Sequence, residues 1–87
     1  MAMLLIAYDL NKETTRPPIV EAIRKIGSAV KLSESAYAIE THQQPDIVYN
    51  EIKPLIDSND HLYVIPLKGP YAGYGPKTTI DTLDSKL

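Results

Sequence analysis

From Met3 to Leu10 the chain reads MLLIAYDL, a nearly unbroken apolar run that fits a strand central in its sheet and covered on at least one face. A polar stretch, NKETTR, follows and ends at Pro17 and Pro18, whose fixed φ suits the first turn of a helix, where no backbone donor is needed. Ile19, Ile23, Ile26 and Val30 then recur at alternating steps of four and three, which places them on one stripe, with Glu21, Arg24 and Lys25 elsewhere on the wheel. That stripe predicts a helix lying on the sheet. Gly27, near its end, offers a left-handed cap, and Ala29 to Leu32 predicts a short second strand.

Ser33, Glu34 and Ser35 break the apolar pattern, after which Ala36 to Thr41 alternates, Tyr37 and Ile39 opposing Ala36, Ala38 and Glu40. Strands two and three therefore read as a hairpin. A second helix opens near Pro45, with Asp46 at the positive end of its dipole and Val48, Ile52, Leu55 and Ile56 as its buried stripe. Pro54 bends or ends that helix between Lys53 and Asp57. The fourth strand is His61 to Leu67, and Pro66 within it, unable to donate to a central ladder, assigns it to an edge.

The order β-α-β-β-α-β predicts an α+β, ferredoxin-like fold: a four-stranded antiparallel sheet, order 4-1-3-2, with two helices on one face. This domain spans residues 1–69. Residues 70–87 form a Gly/Pro/Tyr tail in which Ile80, Leu83 and Leu87 stand at the spacing of a short terminal helix.

Composition narrows the reading. The 87 residues leave room for one domain, and 44% hydrophobic with 23% charged residues is ordinary for a globular chain. With no cysteine, thiolate zinc sites, disulfides and cysteine nucleophiles are excluded, and a reducing compartment suits the chain. So short a domain gains burial by pairing, which makes a homodimer the expected state. A net charge of −2 excludes the basic field of a protein that holds nucleic acid through many phosphate contacts. The longest apolar run, Met1 to Ala7, is too short to span a bilayer and has no basic flank before it, so a cytoplasmic protein without membrane contact is expected.

Candidates for chemistry are few. No phosphate-cradling glycine loop, HExxH, nucleophile elbow or calcium loop occurs. His42 and His61 flank the second helix without partners at metal-ligand spacing, and both read as solvated residues. Asp9 stands where strand one runs out toward a loop. There it either holds a hard cation or, with Asn11, caps the turn by accepting backbone N–H groups. Ser33, Glu34 and Ser35 come near Asp9 if strand three pairs with strand one, though a hairpin turn calls for such residues in any case. Tyr71 and Tyr74 read mainly as contact residues for a partner chain.

The segments MLLIAYDL, the helix from Pro17, SESAYAIET and DSNDHLYVIPLKG together resemble the Cas-two-like superfamily of small proteins: the CRISPR-associated Cas-two subunit, the VapD and GhoS toxin–antitoxin nucleases, and above all uncharacterised SinR-like proteins. The likeness covers about residues 1–69. It implies that Asp9, matching the Asp that ends strand one in Cas-two proteins, is the catalytic residue and the metal ligand, facing its copy across a homodimer to hold Mg²⁺ for hydrolysis of an RNA or DNA phosphodiester. Ser33 and Ser35 then position the substrate. Two functions follow as expectations: a metal-dependent endonuclease, acting on RNA, or a non-catalytic dimeric scaffold that binds a protein or nucleic-acid partner through its sheet, its strand-four edge and its tyrosine tail.

Overall fold

A computed structural model describes residues 2–87; Met1, which opens the expected domain and the first apolar run, lies outside the described residues. The elements run β1 (Ala2–Asp9), α1 (Arg16–Ile26), β2 (Ser28–Ser33), β3 (Ala36–Thr41), α2 (Pro45–Ile52), β4 (His61–Leu67) and α3 (Lys77–Lys86). Short 3-10 turns at Glu13–Thr15 and Lys53–Leu55 precede α1 and extend α2. The strands form one antiparallel sheet in the order β2-β3-β1-β4, which counted from the other edge is 4-1-3-2. β1 is internal and β4, with Pro66, lies at an edge, where a missing N–H costs the ladder little.

Alternation along β1 sends Leu4, Ile6 and Tyr8 to one face, where they join Tyr37 and Ile39 of β3 under Ile19 and Ile23 of α1 and Val48 and Ile52 of α2. This is the main core, and all nine side chains are buried. The opposite face carries Met3, Leu5, Ala7 and Asp9 of β1. Beside them in register stand Leu67, Ile65, Tyr63 and His61 of β4 and Glu40, Ala38 and Ala36 of β3. Here α3 lies across one end only, its Leu83 and the Leu87 that follows it packing with Met3, Ala38, Leu67 and Tyr71. The terminal segment is thus a third helix, docked on the face that α1 and α2 leave free.

Three local expectations are corrected. Gly27 is extended (φ −171°, ψ −175°), not left-handed. Glycine is needed there because a Cβ would stand 2.2 Å from the Glu40 carbonyl oxygen, where the chain leaving α1 presses on β3. Val30 belongs to β2, since α1 has already ended at Ile26. The end of the second helix falls where expected: α2 tightens after Ile52 into a 3-10 turn that closes at Leu55, with Pro54 in its first turn, a position that needs no donor. That tightening carries Leu55 off the buried stripe; it is exposed, and Ile56 is half-buried at the margin of the core. No helix among the described residues is long and apolar enough to cross a membrane.

Candidate functional site at the rim of the open sheet face

Asp9 is the last residue of β1 and pairs in register with His61, the first residue of β4. Cross-strand partners share a face, so both side chains emerge on the side away from α1 and α2. Asp9 Oδ2 lies 3.7 Å from His61 Nδ1, and the side chains are 83% and 63% exposed. At that separation they are close neighbours rather than a hydrogen-bonded pair.

The turn after β1 is capped, but not by Asp9. The Asp60 carboxylate accepts the Asn11 N–H at 2.6 Å and the Asp57 N–H at 2.8 Å, tying the β1–α1 connection to the α2–β4 connection. These two backbone donors, Asn11 first, hold the Asp60 carboxyl below its ordinary pKa against the opposing effect of burial. Asp60 belongs to the D-x-N-D stretch before β4, but no property of that stretch marks its last aspartate as the capping one. With the capping work done by Asp60, Asp9 is left free at the rim.

A second cluster occupies the same end of the sheet. Arg16, the first residue of α1, lies over the Tyr8 ring at 5.6 Å from its centroid, pairs with Glu13 at 2.9 Å and donates to the Glu34 carbonyl. The Tyr8 hydroxyl donates to the same carbonyl at 2.8 Å. Burial first, then the neighbouring Tyr37, pushes the Tyr8 hydroxyl above its ordinary pKa, so it remains a donor. Lys31 pairs with the Glu34 carboxylate at 2.8 Å across the turn, which raises the Lys31 pKa and lowers that of Glu34. Arg16 therefore fastens the β2–β3 turn to the start of α1. Its sequence setting, a polar run before two prolines, suggests only a solvated side chain.

Ser33 and Ser35 flank that turn. The Ser33 hydroxyl accepts the Ser35 N–H at 3.2 Å and the Ser35 carbonyl accepts the Tyr8 N–H at 2.9 Å, so both serines reach the end of the sheet where β1 finishes. Glu34 turns toward Lys31, and no group of three or more ligating residues gathers within one chain among the described residues. Tyr71 is fixed by the hydrogen bond its hydroxyl donates to Asp84 at 2.6 Å and by packing on α3. Tyr74 alone of the two stands free, fully exposed.

Between the rim and α3 the second face of the sheet is bare. Tyr63 and Ile65 are 57% and 48% exposed, and Leu5 and Ala7 beside them are half-buried with no helix above. On this face the titratable positions brought by β1, β3 and β4 are Asp9 and His61 at one end, Tyr63 next to them, and Glu40 at the other end, where it pairs with Lys86 of α3.

No protein-family model matches the chain, and no curated protein matches it. Among solved structures the fold is similar to that of a hypothetical protein, TT1823, from Thermus thermophilus, at 23% identity over 86% of this chain and 94% of that one, with a TM-score of 0.65. At that identity the likeness is one of fold.

Proposed function

We propose that the protein is a homodimer of Cas-two-like, ferredoxin-like build that hydrolyses RNA phosphodiester bonds with Mg²⁺ held at Asp9. The observation that carries this reading is the freedom of Asp9: a carboxylate at the end of a central strand, relieved of capping by Asp60 and standing at the edge of a bare apolar face. A second copy of the chain fits that face by hydrophobicity: about a two-fold axis near the rim, the uncovered Tyr63 and Ile65 of one copy meet the same patch on the other, and the two Asp9 carboxylates come together at its edge.

Mg²⁺ is accommodated by sites with one or two carboxylates, the remaining positions being filled by water and substrate phosphate, and one Asp9 from each copy meets that requirement. When bound, the ion offsets phosphate charge and makes water a stronger nucleophile. The contribution of the chain itself is positional. Asp9 fixes the ion at the rim, and Ser33, whose oxygen accepts within the turn, keeps its own proton to donate to a phosphate oxygen. The Ser35 hydroxyl is a second such donor on the same turn.

Purified protein is expected to cleave single-stranded RNA in Mg²⁺ and not in chelator, and Asp9→Asn is expected to abolish cleavage with Tm unchanged. Cleavage that survives the substitution would remove Asp9 from the mechanism. The second reading, a non-catalytic dimeric scaffold, is favoured by the net charge of −2 and by the free ring of Tyr74. Failure to cleave under any divalent metal, together with partner binding lost on Tyr74→Ala, would establish it.

A further inference from the structure

We propose that the groove between the end of α2 and the start of β4 is a subsite for one unpaired nucleotide of an RNA strand, with the base on the Tyr49 ring and the phosphate at Lys53. The inference rests on the RNA reading above and adds to it where the strand lies. The groove has a volume of about 500 Å³, within the range of about 300–1,000 Å³ usual for small-ligand sites. It adjoins the candidate site directly, because His61, in register with Asp9, is part of its lining. All of that lining comes from one chain, so the groove is complete without a second copy.

Tyr49 and Lys53 both line the groove, and the Lys53 N–H donates to the Tyr49 carbonyl, so the helical path carries through and the two side chains are neighbours one turn apart. Val48 and Ile52 take the buried side of α2, which leaves Tyr49 half-buried and Lys53 exposed on its flank. The Tyr49 ring offers the stacking contact by which unpaired bases are held whatever their sequence. Lys53 has no ion-pair partner among the described residues, so its ammonium is available to a phosphate. The opposite charge on the same lining limits the ligand. Asp57 and Asp60 repel a run of phosphates, whereas the exposed Asp57 carboxylate accepts N–H groups from the pairing edge of a base. That edge is free only in an unpaired strand, so the groove takes a single nucleotide and rejects a duplex.

Binding can be read without catalysis, by fluorescence anisotropy of a short labelled single-stranded RNA with the full chain in chelator. Tyr49→Leu, which keeps apolar bulk and removes the ring, should weaken binding roughly tenfold, while Tyr49→Phe should bind as wild type. Lys53→Gln should weaken binding and lower the slope of log affinity against log salt by about 0.7, the share of one phosphate contact on a single strand, with Tm unchanged because the side chain is exposed. The same RNA annealed to its complement should not compete. In Mg²⁺, Tyr49→Leu and Lys53→Gln should raise KM and leave kcat as it is, the reverse of Asp9→Asn. Wild-type affinity in Tyr49→Leu, or a loss in Tyr49→Phe as large as in Tyr49→Leu, overturns the subsite. RNA cleaved through Asp9 with KM untouched by either substitution overturns this inference alone. RNA held through Tyr49 and Lys53 yet uncut in every divalent metal supports the subsite and removes the hydrolysis, whereas a wild-type chain that binds no RNA overturns both.

Discussion

The two faces of the sheet are built from the same strands and treated differently. On one, Leu4, Ile6, Tyr8, Tyr37 and Ile39 disappear under α1 and α2, and all are buried. On the other, α3 covers Met3 and Ala38 at one end and leaves Tyr63 and Ile65 in solvent at the other. The first face holds the fold together. The second is spent only in part on stability, and its uncovered portion ends at Asp9 and His61. A small domain with no disulfide can leave apolar area uncovered where a second molecule covers it, and the proposed function assigns the incomplete face and the carboxylate at its rim to one surface.

The contrast can be broken most forcefully from the covered side. Ile39→Ala, in a position with no exposure at all, should cost about 3–4 kcal/mol in urea denaturation, a large share of the stability of a domain this size. Leu83→Ala on α3 should cost less, about 2 kcal/mol, and the loss should be local: amide exchange accelerates in α3 while β1 stays protected. Asp60 supplies an effect of pH. Its carboxyl titrates lower in the folded chain than in the unfolded one, so its contribution is complete above the ordinary aspartate pKa and is lost as pH falls through the folded value. The Tm gap of several degrees expected between wild type and Asp60→Asn at neutral pH should therefore close as the solution is taken below about pH 4. The smallest effect on the folded chain belongs to the bare patch. Ile65→Ser should change monomer stability by no more than about 0.5 kcal/mol and yet weaken self-association, which sedimentation velocity will register.

Much of this architecture is legible in the sequence because it follows from periodicity. The alternation of Tyr37 and Ile39 against Ala36 and Ala38 fixes β3 and its two faces, and the stripe of Ile19 and Ile23 fixes the buried side of α1. Pro66 reads as an edge residue because backbone donors are a local property. What escapes the sequence depends on contact between distant segments. Gly27 has the look of a helix cap, and only its meeting with the Glu40 carbonyl reveals a steric requirement. Asp60 and Arg16 are ordinary loop residues until the fold brings Asn11 to one and Tyr8 to the other. At the candidate site, Asp9 is legible as the end of an apolar strand. His61 stands 52 positions away along the chain, and strand register alone makes the two neighbours.

The margins of the sheet also govern how copies of the molecule can associate. At one, Pro66 interrupts the row of N–H donors along β4; at the other, β2 presents Lys31 and an irregularity between Lys31 and Ser33. Neither offers the flat, regular ladder onto which a further strand would add, so fibre-like growth by edge-to-edge stacking is blocked in both directions. If copies associate as proposed, the bare face is the surface left for it, a face-to-face contact that saturates at two chains.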